Sequence, residues 1–163
     1  MTQFIVEKDE HKVIELTNPG EYEVLLVGEG AQVTVGGRFT AEGTERLEVS
    51  IILSHQAKHT RAETVLKGVA KDSAYLKFTG RIIIDKNCAD TNSFLTERIL
   101  LLSDTARAEA IPDLEIKTDD VKCSHAASIS RIPEEQLFYL MSRGISRSHA
   151  EALIVDGFLQ IPD

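Results

Sequence analysis

Short runs of alternating apolar residues follow one another along the first four-fifths of this chain, and almost none is joined to the next by a hairpin turn. "EYEVLLVGEGAQVTV" (21–35) alternates at Tyr22 and Val24, becomes continuously apolar, turns at Gly28–Gly30 and alternates again at Ala31, Val33 and Val35. "RLEVSIIL" (46–53) sets Leu47, Val49 and Ile51 on one face, and "SAYLKFTGRIII" (73–84) does the same with Ala74, Leu76, Phe78, Ile82 and Ile84. "TERILLLS" (96–103), "ARAEA" (106–110), "DLEIK" (113–117) and "DDVKCSH" (119–125) complete the series. Successive strand side chains point to opposite faces, so each run reads as a half-buried strand. Strands recurring at roughly ten-residue spacing suit a sandwich, a barrel or a β-helix. Two features favour the β-helix. Few turns carry the Asn-Gly or Asp-Gly pair of a tight hairpin. Small residues also recur at alternate positions (Ala106, Ala108, Ala110), as stacked rungs allow.

The pattern changes after Arg131. "IPEEQLFYLMSRG" (132–144) places Pro133 at a first helical position, Glu134 and Glu135 in the first turn, and Gly144 at the end. Leu137, Leu140 and Met141 share one helical face and read as its core side. A second helix follows in "SRSHAEALIVDGF", with Ser148 and Glu151 at capping-box spacing and Ser146 as an alternative cap. The expected organisation is a mainly β protein, a right-handed parallel β-helix over residues 1–130, with a short C-terminal helix pair over residues 131–163. The helix pair carries few cations against Glu134, Glu135 and Glu151, which argues against helix-turn-helix DNA binding.

Bulk properties narrow the function. The chain has 163 residues and 42% hydrophobic content, enough for one domain with a sizeable core. A net charge of −8 disfavours nucleic acid or an anionic membrane as a main partner. The start, "MTQFIVEKDEHK", lacks the apolar stretch of a signal peptide, and runs such as "VLLV" (24–27) are far too short to span a bilayer. The expected location is the cytoplasm, where the two cysteines, Cys88 and Cys123, stay reduced. No phosphate-binding Gly-x-x-x-x-Gly-Lys loop and no Gly-x-Ser-x-Gly elbow occurs.

The chemistry concentrates in "DDVKCSH". On a strand, Val121, Cys123 and His125 project from one face, with residues two apart separated by about 6.5 Å. A thiolate and an imidazole that close suit iron, zinc or Cu(I), and Asp119 and Asp120 would either add oxygen ligands or begin a turn. The same alternation makes Cys123 a small buried hydrophobe and His125 a core histidine, and the residues alone leave both readings open. "HQAKH" (55–59) reads as a turn without a ligand role, and Cys88, in the polar stretch "DKNCADTNS", as structural or incidental. A metalloenzyme needs a third ligand and a substrate pocket, for which the sequence offers no candidate.

From about Val49 to Phe158 the chain resembles the SufB/SufD family of iron–sulfur cluster assembly proteins. The segments that carry the likeness are "HQAKHTRAETVLKGVAKDSAYLKFTGRIII" (55–84), "ERILLLSDTARAEAIPDLEIKTDDVKCSHAASI" (97–129) and "EQLFYLMSRGISRSHAEALIVDGF" (135–158). The resemblance implies a right-handed parallel β-helix followed by helices. It implies a non-enzymatic scaffold that acts in the SUF machinery with an ABC-type ATPase, SufC, docked on the helical region. It also implies an iron–sulfur cluster or iron handled transiently near the interface of two β-helix subunits. "VKCSH" is closer to SufD than to SufB. An assembly or metal-ligand role therefore carries over to His125 and secondarily to Cys123, and a partner-facing role to Phe138, Tyr139, Arg143 and Gly144. A structural module that binds no metal is the alternative.

The departures from the family pattern are Ala126, where a glycine is usual, and Ala127-Ser128 in place of Ala-Thr. Family members run to several hundred residues, so the chain reads as a shortened member. A short β-helix leaves unpaired backbone at its end rungs. The expected partner is thus a second copy or another SufB/SufD-like protomer.

Overall fold

The computed structural model describes residues 1–161. Ten strands come first: β1 (Thr2–Val6), β2 (His11–Leu16), β3 (Gly20–Leu26), β4 (Gln32–Ala41), β5 (Arg46–His55), β6 (Arg61–Ala70), β7 (Tyr75–Ile84), β8 (Thr91–Leu101), β9 (Arg107–Ile116) and β10 (Val121–Arg131). Two helices follow, α1 (Glu134–Ser142) and α2 (Arg147–Leu159). Odd-numbered strands form one five-stranded sheet in the order β1-β3-β5-β7-β9, and even-numbered strands form the other in the order β10-β8-β6-β4-β2. Every pairing is parallel. Each strand therefore pairs with the one two places on, and the chain coils as a parallel β-helix of about four turns. Hairpin dipeptides are scarce because no two consecutive strands are antiparallel neighbours, and Gly36–Gly37 lies inside β4 rather than at a turn.

The corners use a different device. Asp9, Gly30, His59, Asp90 and Asp120 all have positive φ, between 54° and 75°. They stack along one corner of the coil: Asp9 N–H donates to the Glu29 carbonyl, Gly30 to Lys58, His59 to Ala89 and Asp90 to Asp120. Asp, Asn and His tolerate this left-handed conformation better than other non-glycine residues. Asp120 is thus a turn residue, the second of the two roles open to it from sequence.

Stacking in register lines up equivalent inward positions. Leu76, Phe78, Ile82 and Ile84 of β7 lie beside Leu47, Val49, Leu53 and His55 of β5, and most of these are fully buried. Phe78 meets Phe39 edge-on, with ring centroids 5.6 Å apart. The expected strand boundaries shift in two places. "ARAEA" and "DLEIK" are one strand, β9, running through Pro112. Proline removes a ladder donor and is tolerated because β9 is the edge of its sheet. β8 starts at Thr91, before the apolar pattern becomes visible.

Pro133 caps α1 rather than opening it, and Ser146 is the cap of α2, its hydroxyl accepting from the His149 N–H at 3.4 Å. The expected core face of α1 needs correction at Met141, which is 42% exposed, whereas Leu137 is buried. The reason is that α1 packs mainly against α2 and makes few contacts with the coil. α2 instead lies on the outer face of the even-numbered sheet. Arg38 Nε donates to the Leu159 carbonyl at 3.0 Å, Lys67 Nζ donates to the Gln160 carbonyl, and the same ammonium sits 5.7 Å from the Phe158 ring centre. Arg147 bridges Glu134 of α1 and Glu151 of α2 at 3.0 and 3.2 Å. Of the expected helical segment, Pro162 and Asp163 lie outside the described residues.

Candidate functional site

β9 and β10 make the last rung of the coil, each at the edge of its sheet. Their register assigns the inward faces. Leu114 and Ile116 align with the buried Ile82 and Ile84 of β7, and Cys123, His125 and Ile129 align with Ser93, Leu95 and Ile99 of β8. No further strand covers these residues, so Leu114, Ile116 and Ile129 remain 43–45% exposed although they face the bore. The other end of the coil differs. There Lys12 aligns with the inward-facing Val33, donates its ammonium to the Ile5 carbonyl at 2.5 Å and pairs with Glu10 at 3.1 Å. An inward charge blunts a sheet edge. On the last rung the position in line with Lys12 is Cys123, which carries no charge-paired ammonium.

Cys123 and His125 share the inward face of β10, as their spacing requires. Cys123 is half-buried and packs against the core, and burial pushes its thiol pKa up. It is a neutral thiol until a metal or a cation draws off its proton. The His125 side chain is 2% exposed even though its strand is an edge. Its Nε2 lies 3.1 Å from Oε2 of Glu97, a carboxylate that is itself fully buried on the preceding rung. An isolated carboxylate in an apolar bore costs several kcal/mol, and the imidazole is what offsets that cost. Gly80, on the facing sheet, makes the space. A Cβ there would sit 2.8 Å from Glu97 Oε1, 2.8 Å from His125 Cε1 and 2.4 Å from Leu95 Cδ2. Two polar atoms of the pair, Glu97 Oε1 and His125 Nδ1, have no hydrogen-bond partner among the described residues.

Glu97 and Gly80 were not singled out from the sequence. The signal for Glu97 was present: the alternation that turns Leu95 and Ile99 inward turns Glu97 inward as well. Phe138 and Tyr139 are 74% and 58% exposed on α1, Arg143 stacks its guanidinium 5.2 Å from the Tyr139 ring centre, and Gly144 follows at φ +87°. These four residues form one accessible patch, on a different element from Cys123 and His125.

A second polar cluster lies deeper in the bore. His55 is fully buried, with Nδ1 2.8 Å from Thr60 Oγ1 and Nε2 2.9 Å from Ser93 Oγ. Cys88 is also buried, its thiol donating to the His55 carbonyl at 3.5 Å, which makes it a structural residue rather than an exposed one. Desolvation lowers the His55 pKa to about 4. The unfolded chain binds a proton near pH 6.5 and the folded chain does not, so stability is fully present above about pH 6.5 and is lost as pH falls toward 4. The expected loss is about 3 kcal/mol over that window. Urea unfolding at pH 7 and pH 4.5 checks it, with His55→Asn expected to remove much of the difference between the two.

The donor set of one chain is small. Among the described residues no three His, Cys, Asp or Glu side chains converge as a metal site. An iron–sulfur cluster takes four protein ligands, commonly thiolates with some imidazoles. Cys123 and His125 have suitable chemistry for such a cluster but supply only part of a set.

The fold and the site define a parallel β-helix whose last rung, uncovered among the described residues, carries a thiol and a carboxylate-paired imidazole. The chain belongs to the SufBD family: residues 17–158 match the family model described as SUF system FeS cluster assembly, SufBD core domain. It is 39% identical over 140 residues to the iron-sulfur cluster assembly protein SufD of Bacillus subtilis, an alignment covering 86% of this chain and 29% of that protein. It is 32% identical to SufD of Escherichia coli, covering 82% and 31%, and 32% identical to an iron-sulfur cluster assembly SufBD family protein of Mycobacterium leprae, covering 83% and 36%. The chain thus spans about a third of the length of these relatives. Among the described residues no helix is long and apolar enough to cross a membrane.

Proposed function

We propose that this chain is a scaffold subunit in iron–sulfur cluster assembly, in which the last rung joins a second SufB/SufD-like protomer, or a second copy, and presents Cys123 and His125 at the junction. The observation that carries this reading is the coincidence of the two donors with the uncovered end of the coil. Pairing there would extend both sheets, bury Leu114, Ile116 and Ile129, and bring a second set of ligands to the first. The cluster, or iron, is cargo on this reading and is held transiently. The exposed Phe138–Tyr139–Arg143–Gly144 patch is the proposed docking surface for a SufC-type ABC ATPase. That division of labour makes residues 1–130 the cluster-handling core and residues 131–163 the motor-docking segment. The proposed compartment is the cytoplasm, and the proposed role is non-enzymatic.

The test is anaerobic co-purification with a SufC-type ATPase and a SufB-like protomer, then reconstitution with iron and sulfide. The wild-type complex is expected to develop cluster absorption in the visible range. His125→Ala is expected to lower it at least about tenfold, the scale of losing a metal ligand's contribution, and Cys123→Ala to a smaller degree. Unchanged absorption in both variants would favour a second reading, a module that organises the complex without touching metal. Burial of the thiol and the imidazole, and the lack of a three-donor group in one chain, are the observations on that side.

A further inference from the structure

The geometry points to Glu97 as the positioning residue that selects His125 Nδ1, rather than Nε2, as the metal-binding atom. This rests on the reading of His125 as a ligand. An ionised carboxylate only accepts hydrogen bonds. Glu97 Oε2 lies 3.1 Å from Nε2. With Glu97 acting as the acceptor, Nε2 carries the proton and donates it to Oε2, which leaves the lone pair of a neutral ring on Nδ1. Nδ1 is buried and has no protein partner. A metal-bound imidazole commonly donates its other N–H to a carboxylate or carbonyl, which fixes the tautomer and raises the basicity of the ligating nitrogen. Glu97 and His125 already form that pair without a metal.

Three features argue against ordinary core packing as a sufficient account. The carboxylate is fully buried in a bore otherwise lined at this level by Leu95, Ile99 and Ile82. Gly80 gives up its side chain where any Cβ would press on both members of the pair. Glu97 Oε1 is left without a partner, so the carboxylate is not satisfied by the imidazole alone.

The tautomer can be read on the full chain without metal by NMR of a sample labelled with 15N-histidine. The expected spectrum shows His125 with a protonated Nε2 and a pyridine-type Nδ1. A protonated Nδ1 would overturn the assignment. Zn(II) alone, as a spectroscopically silent probe, is then expected to move the Nδ1 resonance and leave the Nε2 proton in place. Movement of Nε2 with loss of its proton would also overturn it. In Glu97→Gln the tautomer preference is expected to weaken and Zn(II) affinity to fall by about 10- to 100-fold, a pairing of effects that a purely structural role for Glu97 does not produce. Should that variant fail to fold, the wild-type spectra alone decide. Should Zn(II) move neither ring nitrogen while the Nε2–H tautomer is seen, the ligand role of His125 has failed, and with it the assignment of Nδ1 to metal.

Discussion

On the proposed pairing through the last rung, replacing Leu114 and Ile129 together by Asp is expected to leave a monomer, with association weakened at least about 100-fold. Both residues face the bore by register, and both are nearly half exposed only because the coil stops there. Covering half of a Leu or Ile side chain contributes about 1 kcal/mol, so loss of the two apolar groups alone approaches tenfold to thirtyfold in affinity. Each carboxylate would then have to be desolvated opposite an apolar rung, which costs more than the lost burial. Sedimentation equilibrium of the chain alone, and of its mixture with a SufB-like protomer, measures the effect. The free chain gains rather than loses solubility from the change, so a folded monomer by circular dichroism is the expected companion result. Undiminished association would mean that pairing uses another surface, and the placement of Cys123 and His125 at a junction would fall with it.

The largest expected loss of stability comes from Phe78→Ala. Phe78 is wholly buried at the middle of the coil, flanked in register by Val49 and Ala110 and packed edge-on against Phe39 across the bore. Removing such a ring costs the transfer free energy of its atoms and leaves a cavity, together about 3–5 kcal/mol. Little can collapse into the gap, because the residues around it are held by parallel ladders on both sides. A domain of this size is stable by about 5–15 kcal/mol, so the variant gives up about a fifth or more of the total. Urea denaturation checks it: a midpoint shift below about 1 kcal/mol in free energy would contradict the packing described. Phe94, on the outer face of β8 and 36% exposed, is the control and should tolerate Ala with a far smaller change.

The strand alternation was legible because a period of two is a local property, and β5 and β7 behave as their patterns require. Helix starts were legible to within a residue or two: Pro133, expected as the first helical residue of α1, is the cap one place before it, and Ser146, the alternative to Ser148, caps α2. Strand spacing drew attention to Cys123 and His125 and to the face they share, and the family likeness attached a role to them. What escaped notice were Glu97 and Gly80, whose importance lies in partners on other strands. Glu97 is intelligible only beside His125, one rung on, and Gly80 only beside both of them from the opposite sheet. Pro112 looked like the end of a strand because the exemption it enjoys, an edge position, is not written near it. Met141 has the helical spacing of a core residue, but spacing says which residues share a face and not how much of that face is covered.

Ile82 and Leu114 show the division most plainly. Both alternate correctly, both point into the bore, and they are partners in adjacent strands, yet one is fully buried and the other 45% exposed. The order of side chains along each strand, and hence which of them turn inward, is determined by the sequence through the two-residue period of the backbone. Whether an inward side chain is covered is decided by the rung beyond it. That rung is supplied by chain far away in sequence or by another molecule, so only the tertiary structure reveals it.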